Sequence, residues 1–261
     1  MPFLNKYAAP SGTLPKDIHL HTPLEEYDFN YVFPVETLRS DRVELRPYTP
    51  SLHAELLWKG IQANPEILRW LGTAPWQSLQ DVLEWSEKVC RAPSDSLFYA
   101  IFTDKPGGDT PKTDPSEYEF AGVLGMISSS VSDMMSEPGW ILIMKPYQRT
   151  HVLTHAAGLV MHRILDPTSM GGLGLRRCQW TTTVLNAPSQ SAAKRLGYTG
   201  EGVLRAIKVL QPGKEGFAAG RVDSYNPEGP RRDNWYASVL WDEWENGVRA
   251  HIDKLMARRD K

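Results

Sequence analysis

Cysteine is scarce. The 261 residues hold two, Cys90 and Cys178, too few for a disulfide framework. An excess of one charge is also missing: 29 Lys and Arg stand against 31 Asp and Glu, for a net charge of −2. That balance excludes a nucleic-acid binder driven by bulk charge. No apolar run is long enough to span a bilayer. The opening "MPFLNKYAAPSG" lacks the basic-then-apolar order of a secretory leader. These absences predict a reducing, cytoplasmic compartment, with neither nucleic acid nor membrane as partner. One absence is local. In "KPYQRTHVLTHAAGLVMHRIL" no glycine occurs from Lys145 to Ala157, although a basic turn running into an amphipathic helix is how a phosphate cradle begins.

What is present reads as one large globular domain with appendages, 41% hydrophobic and 23% charged. Residues 1–41 are rich in proline, aromatics and acids. Within them Tyr27, Phe29, Tyr31 and Phe33 alternate, which predicts an extended arm packed over the domain. "RVELRPY" predicts a strand, and Ser51 a helix cap for a helix to about Ala63. Ser78 to Arg91 predicts a second helix. "LFYAIFT" and "FAGVLGMISSS" predict a hairpin with a long tip, and "GWILIM" a buried strand. After the helix that begins near Thr150 come a strand "RRCQWTTTV", a short helix ending at Gly197, a strand "EGVLRAIKVL", a long loop, a strand "NWYASVLW", and a closing helix from Asp242 to Met256. Hairpin first, alternating strands and helices second, makes a mixed α/β sheet.

The helix near Thr150 admits two physical readings. Its first turn offers unpaired N–H groups and the positive end of a dipole, which suits an anion, and Lys145 and Arg149 flank the turn. The same strand–turn–helix unit also serves as an ordinary connection. His151 and His155 are four apart, a metal-chelating spacing. However, a zinc protease requires Glu at position 152, where Val152 stands, and no third ligand lies nearby, so no metal is expected.

Three segments together, "GWILIMKPYQRTHVLTHA", "NAPSQSAAKRLGYTGEGVLR" and "RDNWYASVLWDEW", resemble the GCN5-related N-acetyltransferases (GNAT) of the ribosomal-protein-acetyltransferase branch, the RimJ/RimL type. "YDFNYVFPVETLRSDRVELRPYTPSLHAEL" is similar to the amino-terminal part of fungal members. The resemblance spans about residues 27 to 245. It implies an arm over 1–41 and an acyltransferase domain over 42–261 with insertions at about 104–119 and 211–232. The implied fold is a V-splayed, mostly antiparallel mixed sheet of about seven strands flanked by helices. The implied cosubstrate is acetyl-CoA, without a metal, and the implied partner is an amine acceptor: a small molecule or amino acid, or alternatively a protein N-terminus. A monomer or homodimer fits, as does a role in fungal detoxification or secondary metabolism.

The resemblance also implies a site. Backbone of Leu142, Ile143 and Met144 would pair with the pantetheine amides. The turn Gln148, Arg149, Thr150, His151, Val152, Leu153 and Thr154 would hold the diphosphate. The family places glycine or another small residue where His151 and Leu153 stand, so weak affinity, a shifted pose, or a catalytically impaired ligand-binding protein are all open. Ser189 sits where relatives place a hydroxyl near the CoA sulfur, its alternative being a helix cap. Asn186 would contact the pantetheine arm or acceptor, its alternative being a turn residue. For the general base Glu201, Asp233 and Glu44 are candidates, and a water-mediated route is another. Tyr198 occupies a core aromatic slot.

Overall fold

A computed structural model describes residue 14 and residues 17–104, 114–219 and 229–259. The tips of the two expected insertions, 105–113 and 220–228, lie outside the described residues. Among the described residues the sheet has nine strands, in the order β1-β2-β3-β4-β5-β6-β9-β7 with β8 paired to β9. The strands are β1 Leu38–Arg39, β2 Val43–Pro47, β3 Leu97–Thr103, β4 Glu119–Ser130, β5 Met135–Ile143, β6 Arg177–Thr183, β7 Thr199–Val209, β8 Phe217–Ala219 and β9 Pro230–Leu240. The two strands beyond the expected seven include the short β1 and β8. Among the described residues every pairing is antiparallel except β5 with β6.

Helix α1 (Pro50–Ala63) starts one residue before its expected cap, because Pro50 presets the first turn and Thr49 takes the cap position. The Thr49 N–H donates to His53 Nδ1 at 3.0 Å, and burial of that imidazole lowers its pKa to about 4. Ser78 and Asp81 close a reciprocal capping box on α2 (Leu79–Trp85), which widens into a π-helical turn over Ser86–Arg91. Helix α3 (Val152–Leu165) packs across β2, β5 and β6 and against the last helix. Helix α4 is Ala187–Arg195. The closing helix is broken: α5 (Trp241–Glu243) runs through a π-helical turn into α6 (Arg249–Met256), and Gly247 adopts φ 145° at the kink. Only glycine takes that conformation without cost. No helix among the described residues is long and apolar enough to cross a membrane.

The aromatic arm alternates in sequence yet forms no strand. Asn30 takes φ 49° and its amide binds the carbonyls of Arg91 and Ala92, which bends the chain. The rings still pack inward. Tyr27 is buried, Tyr31 bonds Ser129 at 2.8 Å, and Phe29 and Phe33 lie against the core.

The feature that positions the site is the brevity of the β5–β6 pairing. It covers Met135↔Arg177 and Ser136↔Cys178 and then stops. From Glu137 to Ile143, β5 has no strand partner on that side among the described residues, so the sheet opens as a wedge. A bulge bends the open strand. Between Val123↔Leu142 and Gly125↔Gly139, β5 uses one residue more than β4, and Trp140 takes φ 51°. Gly122 backs this bend with φ 142°, where any Cβ would collide with the Leu142 carbonyl oxygen. Gly122→Ala is therefore expected to cost about 2–4 kcal/mol, read as a lower midpoint in urea unfolding; an unchanged midpoint would show that β4 and β5 separate freely there.

Candidate active site

The wedge opens into one cleft of about 1090 Å³. Leu142 and Ile143 of β5, Gln148 and Leu153 of the following turn, and Asn186 and Ser189 of α4 line one part of it. Glu137, Gln179, Thr181, Tyr236, Asn234 and Arg232 line another. Thr181 stands opposite Tyr236, and residues two apart on a strand share a face, so most of this second group lies on one face of the sheet.

In the glycine-free turn Tyr147 and Val152 are buried while Gln148 and Arg149 stay exposed. Arg149 takes φ 61°, the Thr150 hydroxyl donates to the Tyr147 carbonyl, and Gln148 reaches back to the Ile143 carbonyl at 2.9 Å. His151 does not project into the turn. Its Nδ1 accepts from Arg42 at 2.8 Å and its Nε2 meets Thr103 Oγ1 at 2.9 Å. Since Thr103 donates its own proton to the Arg42 carbonyl, the ring must donate through Nε2 and is neutral. Burial first, then the charge of Arg42, lowers its pKa to about 4. His155 is buried against Ser40, and burial lowers it to about 4 as well. Each imidazole has its own partner, and no group of three metal-binding side chains occurs among the described residues. Val152 is buried and Thr154 accepts from Arg195 at 2.9 Å. The N–H groups of Leu153 and Thr154 have no acceptor among the described residues, so this helix start fits an anion through backbone alone. Leu153, unlike His151, does face the cleft.

On α4 the cap is Asn186, whose Oδ1 accepts the Ser189 N–H at 3.1 Å. Ser189 is thereby released from capping. Its Oγ accepts from the Trp180 indole at 3.0 Å, which leaves its hydroxyl proton to donate into the cleft. Tyr198 is buried against Cys178 Sγ at 3.0 Å, away from the cleft.

None of the three base candidates lines the cleft. Glu201 is held by both arms of Arg177 at 2.6 Å and by Ser238, and Arg177 lowers its pKa. Asp233 accepts the Ala206 N–H and pairs with Arg231. Glu44 lies between Arg39 and Arg46 on β2. The buried carboxylate that lines the cleft at the parting of the strands is Glu137, which sequence reading passed over because it precedes the apolar "GWILIM". It is the first residue past the last β5–β6 pair. Its Oε1 accepts the Thr181 backbone N–H at 2.9 Å, and its Oε2 accepts from Gln179 at 2.8 Å and Thr181 Oγ1 at 3.1 Å. Burial raises its pKa, against the pull of these donors.

The parallel strand pair thus parts into a wedge-shaped cleft with a bare helix N-terminus at its mouth. The sequence pattern of the acetyltransferase (GNAT) domain matches residues 42–199, and the chain belongs to that family of acetyltransferases. Among solved structures it is similar to a GCN5-related N-acetyltransferase from Brucella melitensis, 23% identical over 86% of this chain and 87% of that one, with a TM-score of 0.67. It is also similar to the Salmonella typhimurium acetyl transferase that modifies the N-terminal serine of ribosomal protein L7/L12, 17% identical over 78% and 99%, TM-score 0.57. A third is Mycobacterium smegmatis RimJ in complex with CoA-disulfide, 16% identical over 84% and 93%, TM-score 0.58. These identities establish a shared fold. No curated protein matches the sequence significantly.

The neutral histidines carry a pH signature. His53, His151 and His155 stay uncharged in the fold down to about 4, against an ordinary value of 6.5. As pH falls through that window the unfolded chain binds protons that the native state refuses. Stability is therefore full above pH 6.5 and declines towards pH 4, by on the order of 1–3 kcal/mol per ring. Urea unfolding between pH 7.5 and 4.5 measures this, and a flat profile would mean that the rings are solvated.

Proposed function

We propose that the protein is an acetyl-CoA-dependent N-acetyltransferase whose acceptor is the amine of a small molecule or amino acid. The observation that supports this most is one continuous cleft carrying Ser189 and the bare α3 N-terminus on one side of the wedge and Glu137 on the other. Bound acetyl-CoA supplies the thioester acyl group. The open side of β5 at Leu142 and Ile143, which line the cleft, holds the pantetheine arm, whereas Met144, expected to share that role, lies beyond the strand with its N–H bonded to the Ala121 carbonyl. The N–H groups of Leu153 and Thr154 hold the diphosphate. Asn186 keeps Ser189 in place and offers its free amide to the same arm.

Glu137 is the base in this reading. Three of its four acceptor positions are occupied, and the fourth takes a proton from the attacking amine. A pKa raised by burial brings the carboxylate closer to the pH at which the amine must be neutral. A backbone N–H on the open edge of β5 polarises the acyl carbonyl. The Ser189 hydroxyl donates to the departing thiolate. Positioning of amine against thioester supplies most of the remaining acceleration.

A protein N-terminus is the second acceptor class, favoured by the L7/L12-modifying enzyme among the structural neighbours. Against it, Trp70, Leu71 and Trp76 wall the cleft, which suits a small acceptor.

Calorimetry is expected to give micromolar acetyl-CoA binding, about 8 kcal/mol, and thiol release is expected with amines or amino acids in preference to peptides. A folded protein that does not bind acetyl-CoA overturns the reading, and release with peptides alone transfers it to the second class. Glu137→Gln should lower kcat by about 10²–10⁴-fold and remove the acid limb of the pH–rate profile, while acetyl-CoA affinity stays unchanged. Ser189→Ala should lower kcat about 10-fold, with little effect on the apparent constant for acetyl-CoA; an unchanged kcat removes Ser189 from the reaction.

A further inference from the structure

At the acceptor end of the cleft two cations stand without an ion-pair partner among the described residues. Lys208 on β7 lies directly opposite Arg232 on β9, and both line the cleft. Like charges facing each other across an antiparallel pair repel. Three other arginines nearby on the sheet or at the cleft rim do have carboxylate partners: Arg231 with Asp233, Arg177 with Glu201, Arg69 with Glu215. Neither Lys208 nor Arg232 has a carboxylate at ion-pair distance among the described residues. Arg232 gives its donors to neutral groups instead, Nε to Asn234 Oδ1 at 2.6 Å and one terminal nitrogen to the Trp70 carbonyl at 3.1 Å. These two bonds fix the plane of the guanidinium and leave three of its five N–H groups uncommitted.

The other carboxylates of the cleft do not supply the missing charge. Asp81 caps α2, Glu84 pairs with Lys88 at 2.7 Å, and Glu66 is exposed. Glu137 is sensed electrostatically by both cations, but its own acceptor positions face Gln179 and Thr181. Taken together, Glu137 and the two cations leave this end of the cleft with one net positive charge.

We propose that Arg232 and Lys208 bind the carboxylate of the acceptor, which makes the substrate class amines that also carry a carboxylate, amino acids and their close relatives, with the amine turned towards Glu137. This rests on the acetyltransferase reading above. A planar two-oxygen anion matches the preset guanidinium fork. An acceptor with a neutral amine and one carboxylate balances the local charge, whereas a phosphomonoester dianion overshoots it. Trp70 and Tyr236 supply the apolar wall for the rest of the acceptor.

The test is thiol release from acetyl-CoA by the full chain. The panel is the L-amino acids, each matched with its carboxamide and its decarboxylated amine, plus phosphoethanolamine. The preferred amino acid is expected to exceed its matched carboxamide by at least about 10-fold in kcat/KM. Arg232→Gln should cut that kcat/KM by about 10–100-fold, mainly through KM, leave the carboxamide within about 3-fold, and leave acetyl-CoA affinity unchanged. Lys208→Gln, on the exposed edge strand, should act in the same direction with a smaller loss. Equal rates for acids and carboxamides, turnover of phosphoethanolamine alone, or an Arg232→Gln loss shared by both classes would each overturn the assignment. If acetyl-CoA binds but no panel member turns over, N-acetyl-amino acids are titrated into the CoA-loaded protein. Binding that Arg232→Gln abolishes upholds the assignment, and no binding overturns it. Failure of acetyl-CoA itself to bind is a different result and overturns the transferase reading together with this one.

Discussion

The architecture turns on a carboxylate that stands in for a strand. Where the β5–β6 ladder ends, the Thr181 N–H on the edge of β6 needs an acceptor. Glu137 provides it from a side chain, and adds bonds to Gln179 and Thr181 Oγ1. A buried N–H without a partner costs about 1–3 kcal/mol, so the vertex would otherwise favour closing the ladder. With Glu137 there, the strands part at no such cost, and every group that the proposed reaction needs is arranged along the opening.

The bulge and the turn extend the same logic. An extra residue at Trp140 and Ile141 bends β5 away from β6, and the chain then enters α3 through a turn that buries Tyr147 and Val152. His151 stands where the sequence resemblance leads one to expect a glycine, yet its half-buried imidazole bonds Arg42 and Thr103. The residue that looked like an obstruction in the sequence is a strut beneath the turn. Leu153, where a small residue was likewise expected, does line the cleft.

Much of this was legible beforehand, for reasons that differ by element. Apolar runs marked β3, β4 and the end of β5, and "NAPSQS" marked the start of α4, although the cap is Asn186 and Ser189 is thereby left free. The helix after Lys145 began within two residues of its expected start. What sequence could not supply were features set by distant partners. The arm's aromatics alternate as a strand does, but Asn30 bonds to Arg91 and Ala92 some sixty residues away and bends it. Glu201 was a candidate base in the sequence, and Arg177 across the sheet occupies it. Glu137 gave no local signal because its importance comes from where a ladder stops. The clue, in retrospect, is a carboxylate two residues before a buried apolar run, a place that is costly without several donors.

Five of the nine tryptophans, Trp70, Trp76, Trp85, Trp140 and Trp180, line the cleft. Indole emission shifts with the polarity and hydrogen bonding around the ring, so the molecule's ultraviolet fluorescence is weighted towards its own ligand space. Trp180 has particular value, since its N–H bonds the Ser189 hydroxyl. A change in what that hydroxyl touches reaches the indole directly, and cofactor arrival and thiolate departure become optical events observable without a label.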